Sequence, residues 1–313
     1  MKLTLGTVQL GLPYGINNQT GKPSREDAFA ILDKAIESGI TMFDTASLYG
    51  DAEEVLGEFI ASRQLGNRVS VVSKMRPIVA EEFVHGVVSV IEDEAEKSMK
   101  RLHVPILDGY LLHDVSGMYN PVIISGLKRL KEIGIVKNIG VSIYEEKDAL
   151  YAASLGLIDY IQIPYNIFDQ RLDKTDFFAL TKKNNIKVFA RSAFLQGLLL
   201  MDADKIPPHL LGARKYIEQL LDVIINKYGL NRREAALLFS YSNDDIDYVV
   251  IGVDTTAQLT EHIDTIQKIT QYRDCVQQLR DTFARENIDK NIISPNLWEN
   301  LKSNKKTVAS VKH

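Results

Sequence analysis

Cysteine occurs once in the 313 residues, at Cys275, so no disulfide can close within the chain and the lone thiol suits a reducing cytoplasm. No apolar run approaches the ~18 residues a membrane-spanning helix needs. The N-terminus opens on the strand-like Lys2-Leu3-Thr4-Leu5-Gly6, not on a basic segment leading into an apolar one, so no secretory signal is expected. A basic face is also lacking. Lys and Arg number 37 against 41 Asp and Glu, a net charge of −4, which argues against a nucleic-acid partner. No serine sits in a nucleophile elbow and no histidine pair has zinc spacing, so neither a covalent nor a metal step is indicated.

What is present is a rhythm. Eight apolar segments read as strands: Leu3–Leu10, Ile40–Phe43, Val69–Ser73, Leu107–Leu112, Val136–Val141, Tyr160–Pro164, Lys187–Arg191 and Tyr248–Gly252. Helical spacing fills the intervals, as in Ser24 capping a helix that carries Phe29, Ile31, Leu32, Ala35 and Ile36. Further helices are expected over Ala52–Ser62, Val88–Leu102, Pro121–Ile133, Glu146–Leu155, Leu172–Asn184, Lys215–Tyr228, Arg232–Ser242 and from Thr255 onward, with Phe194–Ala213 a long loop. Most of the strands are continuous apolar runs, which implies burial on both faces and a parallel sheet under helices. Eight such units over ~250 residues predict the closed (β/α)₈ barrel. An open doubly wound sheet would need a glycine-rich fingerprint after an early strand, and Gly11-Leu12-Pro13-Tyr14-Gly15 does not supply one. The barrel is expected to be a single domain over residues 1–290, with a partly flexible tail over 291–313.

In such a barrel the chemistry belongs to the C-terminal ends of the strands. Those positions collect Asp44, Tyr49, Lys74, His113, Ser142, Gln162, Arg191 and Gly252. A tyrosine near a lysine can donate a proton, because a nearby ammonium lowers the phenol's pKa. Asp44 is placed to hold the lysine, and a histidine beside them can orient a carbonyl oxygen. Lys74 ends a strand as apolar as Val69–Val72, where a desolvated ammonium is costly without a partner. His85, His103 and His209 fall in helix or loop contexts and carry no such reading.

The order Asp44, Tyr49, Lys74, His113 resembles the catalytic tetrad of the aldo-keto reductase superfamily, (β/α)₈ barrels that pass a hydride between a nicotinamide cofactor and a carbonyl carbon. The resemblance extends from Leu5-Gly6-Thr7 to the helix after Gly252. It implies that Tyr49 is the general acid, that Lys74 and Asp44 tune it, and that His113 orients the carbonyl. It further implies that Ser142 and Gln162 hold the nicotinamide carboxamide, with Ile143 where the family has asparagine. Arg191, in Ala190-Arg191-Ser192, takes the place of the ring that stacks on the nicotinamide. A guanidinium there disfavours the cationic, oxidised nicotinamide, so a bias toward carbonyl reduction is expected.

Gln196-Gly197 fits the loop over the pyrophosphate. Gly252, Asp254, Gln258, Glu261 and His262 fit the adenosine end, with Thr255 and Thr256 capping a helix whose N-terminus favours an anion. Gln258 stands where many members place an arginine, and Asp254 adds negative charge, so the implied cofactor is NADP(H) with NAD(H) the alternative. The implied partner is a small-molecule carbonyl compound, and the polar mix of Arg76 and Asp114 with Tyr14, Leu48, Met75, Tyr144, Tyr165 and Phe168 as candidate walls suggests a polar, sugar-like one. The rival readings are a cofactor-holding regulatory subunit of the same superfamily and another barrel enzyme, an isomerase or lyase. Oligomeric state is not legible.

Overall fold

The computed structural model describes residues 2–302. Eight parallel strands close in sequence order: β1 (Leu3–Gly6), β2 (Met42–Asp44), β3 (Ser70–Met75), β4 (Leu107–Leu112), β5 (Val136–Ser142), β6 (Tyr160–Pro164), β7 (Lys187–Arg191) and β8 (Tyr248–Ile251). Closure is made by β1 against β8, with Leu3 opposite Val249 and Leu5 opposite Ile251. The expected barrel is therefore the observed one.

Around it lie α1 (Arg25–Glu37), α2 (Ala52–Ser62), α3 (Val87–Leu102), α4 (Pro121–Glu132), α5 (Glu146–Ser154), α6 (Phe177–Lys183), α7 (Arg214–Tyr228), α8 (Arg232–Tyr241), α9 (Thr256–Gln267) and α10 (Arg273–Ala284). Local chemistry fixes their ends. Ser24 accepts a hydrogen bond from the Asp27 amide, Asn120 precedes Pro121 at the first helical position, and Asn231 forms a capping box with Glu234. The apolar faces, such as Ala28, Ile31, Leu32 and Ala35 of α1, meet the outer faces of the strands in one continuous core.

Two boundaries differ from expectation. The first strand stops at Gly6, and Val8–Gly11 winds into one helical turn, so Gln9 leaves the sheet. The helix expected from Leu172 is broken: Arg171–Lys174 is a 3₁₀ turn, Thr175 is extended, and its Oγ1 accepts from the Phe177 amide to start α6 afresh. The loop expected over Phe194–Ala213 contains two 3₁₀ segments, Leu195–Leu200 and Pro208–Ala213. Beyond α10 the chain stays packed, with Ile292, Ile293 and Trp298 buried. The polar run that begins at Ser303 lies outside the described residues.

Strand alternation decides what faces the barrel axis. A second apolar cluster, distinct from the outer core, joins Val72, Leu111, Tyr160 and Phe189 with Met42, Tyr248 and Val250. These are the inward residues. Gly109 makes room among them, since a Cβ there would meet the Tyr160 ring at 2.8 Å. Stepping two residues further along each strand reaches the C-terminal mouth: Asp44, Lys74, His113, Gln162, Arg191 and Gly252. The parity that fills the barrel with apolar side chains thus aims a ring of polar ones at its opening.

Candidate active site

At the mouth lies a cavity of about 350 Å³. Its floor is a buried ion pair. Lys74, fully shielded, donates from Nζ to Asp44 Oδ1 and Oδ2 at 2.8 and 2.7 Å and to the Thr45 carbonyl at 2.9 Å, which uses all three of its protons. Gln162 Nε2 donates to Asp44 Oδ1 at 2.7 Å. Burial pulls the Lys74 pKa down, opposed by the Asp44 carboxylate.

Tyr49 sits above this pair. The loop that carries it turns back through the Tyr49 amide to the Ala46 carbonyl at 3.0 Å. It also packs against the first strand's loop so closely that a Cβ on Gly11 would strike the Tyr49 carbonyl. The Tyr49 ring centroid is 5.0 Å from Lys74 Nζ and 5.6 Å, edge-on, from the His113 ring. Against the expectation that the ammonium would lower it, burial and the Asp44 charge raise the Tyr49 pKa, with Arg191 opposing, so its phenol is protonated at neutral pH. Burial, with the Lys74 and Arg191 charges, lowers His113 to about 4, so its imidazole is neutral, and Nδ1 has no partner.

Beside the floor, Ser142, Gln162, Arg191 and Ser192 all line the cavity. Gln162 Oε1 is buried and unpartnered, an acceptor left over after Nε2 has gone to Asp44. Arg191 lies with its guanidinium carbon 4.0 Å from the Tyr144 ring centroid and donates to the Ile143 carbonyl at 3.0 Å. One face of the guanidinium is therefore covered by Tyr144.

The loop after β7 holds Ser192, Leu195 and Gln196 at φ of 63, 49 and 52°, left-handed values that are uncommon for non-glycine residues and concentrate at functional sites. The first loop straps across it. Ile16 donates its amide to the Gln196 carbonyl at 3.0 Å, Gln196 Nε2 donates to Tyr14 Oη at 2.9 Å, and a Cβ on Gly197 would press on Asn17. At the far end Thr255 caps α9 by accepting from the Gln258 amide at 3.2 Å, while Gln258 Oε1 accepts from the Asp254 amide at 2.9 Å. His262 is buried there, stacked on Phe194 at 5.0 Å, with Nδ1 unpartnered.

Not every sequence candidate reaches the cavity. Glu261 turns toward α8, with Asn231 Nδ2 at 3.4 Å and Arg233 Nε at 3.6 Å. Lys74 lies beneath the lining, acting from below. Of the proposed walls, Tyr14 and Tyr144 line it, but Tyr165 and Phe168 are core residues and Leu48 is half exposed. Arg76 is spent on Glu82 and Glu94, and Asp114 caps a 3₁₀ turn through Ser116, so neither supplies the polarity expected of it. Thr7, Gln9, Asn17, Asn18, Phe194 and Arg233 line the cavity without having been singled out in sequence. Gln9 was hidden inside an overlong first strand. Arg233 offered no signal, since an arginine in a helix's first turn reads as a solvated surface residue.

A closed parallel barrel whose strand ends converge on one cavity has the (β/α)₈ architecture. The model of the Aldo/keto reductase family matches residues 2–280. The uncharacterized oxidoreductase YqkF of Bacillus subtilis is 25% identical over 276 residues, covering 84% of this chain and 90% of that protein. D-arabinose 1-dehydrogenase of Saccharomyces cerevisiae is 31% identical over 150 residues, 45% of this chain and 42% of that one. A crystal structure of an aldo/keto reductase from Klebsiella pneumoniae in complex with NADP and acetate has a TM-score of 0.68 at 22% identity, covering 92% of this chain and 93% of that one. The chain belongs to the aldo/keto reductase family, whose members use NAD(P)H. Among the described residues no helix is long and apolar enough to cross a membrane, and no cluster of His, Cys, Asp or Glu is arranged to hold a metal ion.

Proposed function

We propose that the chain reduces an aldehyde or ketone to an alcohol with NADPH, with Tyr49 as the general acid. The observation that carries the reading is the protonated Tyr49 phenol held between a buried ammonium and a neutral imidazole at the cavity floor. The cofactor fits the residues present. Gln162 Oε1 is a buried acceptor with no partner, suited to a carboxamide N–H, and Ser142 stands next to it across β5 and β6. When bound, the dihydronicotinamide supplies the hydride to the carbonyl carbon. Tyr49 gives its proton to the carbonyl oxygen, and His113, neutral, donates a hydrogen bond that orients that oxygen. Lys74 has no N–H left to offer Tyr49, so it acts through its charge, stabilising the phenolate as the proton leaves. Asp44 and Gln162 fix the ammonium in place.

The free face of Arg191 is available to stack on the nicotinamide, and its charge favours the neutral, reduced ring. Tyr14, Tyr144, Gln196 and Arg191 give the outer cavity hydroxyl, amide and cationic groups, which suit a polar, sugar-like carbonyl. The likeness to D-arabinose 1-dehydrogenase supports the same substrate class. A turnover assay in both directions, with aldoses, keto-sugars and aromatic aldehydes, tests the proposal. Reduction of a sugar-like carbonyl faster than the reverse oxidation at neutral pH is the expected result. Faster oxidation would count against the role of Arg191, and no turnover of any carbonyl would overturn the activity.

A further inference from the structure

We infer that Arg233, in the first turn of α8, recognises the 2′-phosphate of the dinucleotide, so that the choice between NADPH and NADH is made from α8 and not from Gln258 on α9. The inference rests on the cofactor reading above, which puts the nicotinamide over Tyr49 and the adenosine at the α9 end of the cavity. The two cofactors differ there by one phosphate group on the adenosine ribose. Telling them apart needs a cation with donors to spare.

Arg233 meets that need. Only two of the residues lining the cavity are Lys or Arg: Arg191, at the Tyr49 end, and Arg233, near His262 and Asp254. Arg233 makes no hydrogen bond among the described residues. Its one ion pair, with Glu261 Oε2, spans 3.6 Å, longer than a hydrogen bond, and its side chain is 28% exposed. Its neighbour Arg232 differs: it donates to the Met201 carbonyl and to Asp202 Oδ1 at 2.7 Å. A cation in the first turn of a helix opposes the helix dipole, so the helix itself gives Arg233 no electrostatic support. A guanidinium's planar fork matches a phosphate's oxygens.

The other groups at this end do not offer a rival donor of equal charge. Gln258 is neutral, and its Oε1 is engaged by the Asp254 amide. Asp254 is an acid on the cavity wall, with Asn18 Nδ2 at 3.5 Å and Gln258 and Arg233 also acting on it, and it opposes an anion. His262, 1% exposed, leaves Nδ1 unpartnered in the same wall, an independent sign that a polar ligand completes this end. The balance between Arg233 and Asp254 therefore sets the preference, with the arginine favouring the 2′-phosphate and the aspartate resisting it.

Isothermal titration calorimetry of the full chain with NADPH, NADH, adenosine 2′,5′-bisphosphate and 5′-AMP tests this without turnover. Wild type should bind NADPH more tightly than NADH. Arg233→Gln should weaken NADPH and the bisphosphate about 10–100-fold while leaving NADH and 5′-AMP within about twofold. Asp254→Asn should tighten NADPH selectively, which gives a second reading independent of any effect on α8. Equal losses for NADPH and NADH in Arg233→Gln, or no loss for NADPH, would overturn the inference while leaving the cofactor site intact. Wild type that binds neither dinucleotide would overturn the cofactor reading and the inference with it.

Discussion

The two ends of this barrel hold similar side chains to opposite effect. At the N-terminal foot Tyr160 donates to Asp108 Oδ2 at 2.9 Å and accepts from Asn138 Nδ2 at 2.8 Å, and the same amide reaches the Asp108 carbonyl at 2.8 Å. Tyr248 stacks on Phe189 at 4.4 Å beside them. At the mouth, Gln162, two residues beyond Tyr160, and His113, just past β4, each keep a buried polar atom without a partner, and so do Gln9 in the helical turn after β1 and His262 in α9. Leaving such atoms unpaired costs roughly 1–3 kcal/mol each. The Tyr160 phenol is satisfied within the protein, although Thr4 Oγ1 on β1 is buried without a partner, whereas the mouth gathers four such atoms around its cavity.

That contrast can be broken most directly at Tyr49. Tyr49→Phe should lower kcat for carbonyl reduction about 10²–10⁴-fold, with an unchanged melting temperature, in a steady-state assay paired with calorimetry. An activity loss below tenfold would remove Tyr49 from the acid step. Lys74→Met probes the place where the mouth bears most on stability. It strands the Asp44 carboxylate in a buried site, so chemical denaturation should register a loss of about 3–5 kcal/mol alongside the loss of activity. Tyr160→Phe is the foot's counterpart. Losing the phenol's two bonds should cost about 1–3 kcal/mol of unfolding free energy and leave kcat/KM untouched. A large kinetic effect there would dissolve the division between the two ends.

The smallest effect is acid sensitivity. Burial lowers His113 to about 4 and His262 to about 3, so the folded chain binds these protons less readily than the unfolded one. Stability is present above the ordinary imidazole pKa and is lost as pH falls below it. Between roughly pH 7 and pH 5.5 each histidine should cost about 1 kcal/mol. Unfolding curves of His262→Asn over that range should be flatter than those of wild type.

Much of the fold was legible because local signals agreed with it. Continuous apolar runs marked the strands, and Ser24 and Thr255 marked helix starts at the residues where they act. Where local signals were equivocal the reading slipped. Val8-Gln9-Leu10 is apolar enough to continue a strand, yet it coils, because the sheet's register with β2 ends at Gly6 opposite Asp44. Leu172 looked continuous with α6 until the extended Thr175 interrupted it. Tyr165 and Phe168 looked like pocket walls from their place after β6, but their rings turn into the core against Phe239 and Phe283. Arg76 looked like a substrate contact, and two nearby glutamates hold it.

The sequence by itself determined the barrel and the ring of polar residues at its mouth, since a period of two along buried strands ties both to one pattern. Only the tertiary structure decided which distant loops meet there. Gln9 under Gly252 and Tyr14 with Gln196 are pairings between elements far apart in the chain. They follow from the closure of β1 on β8 and from the path each loop takes over the rim, which no local propensity encodes.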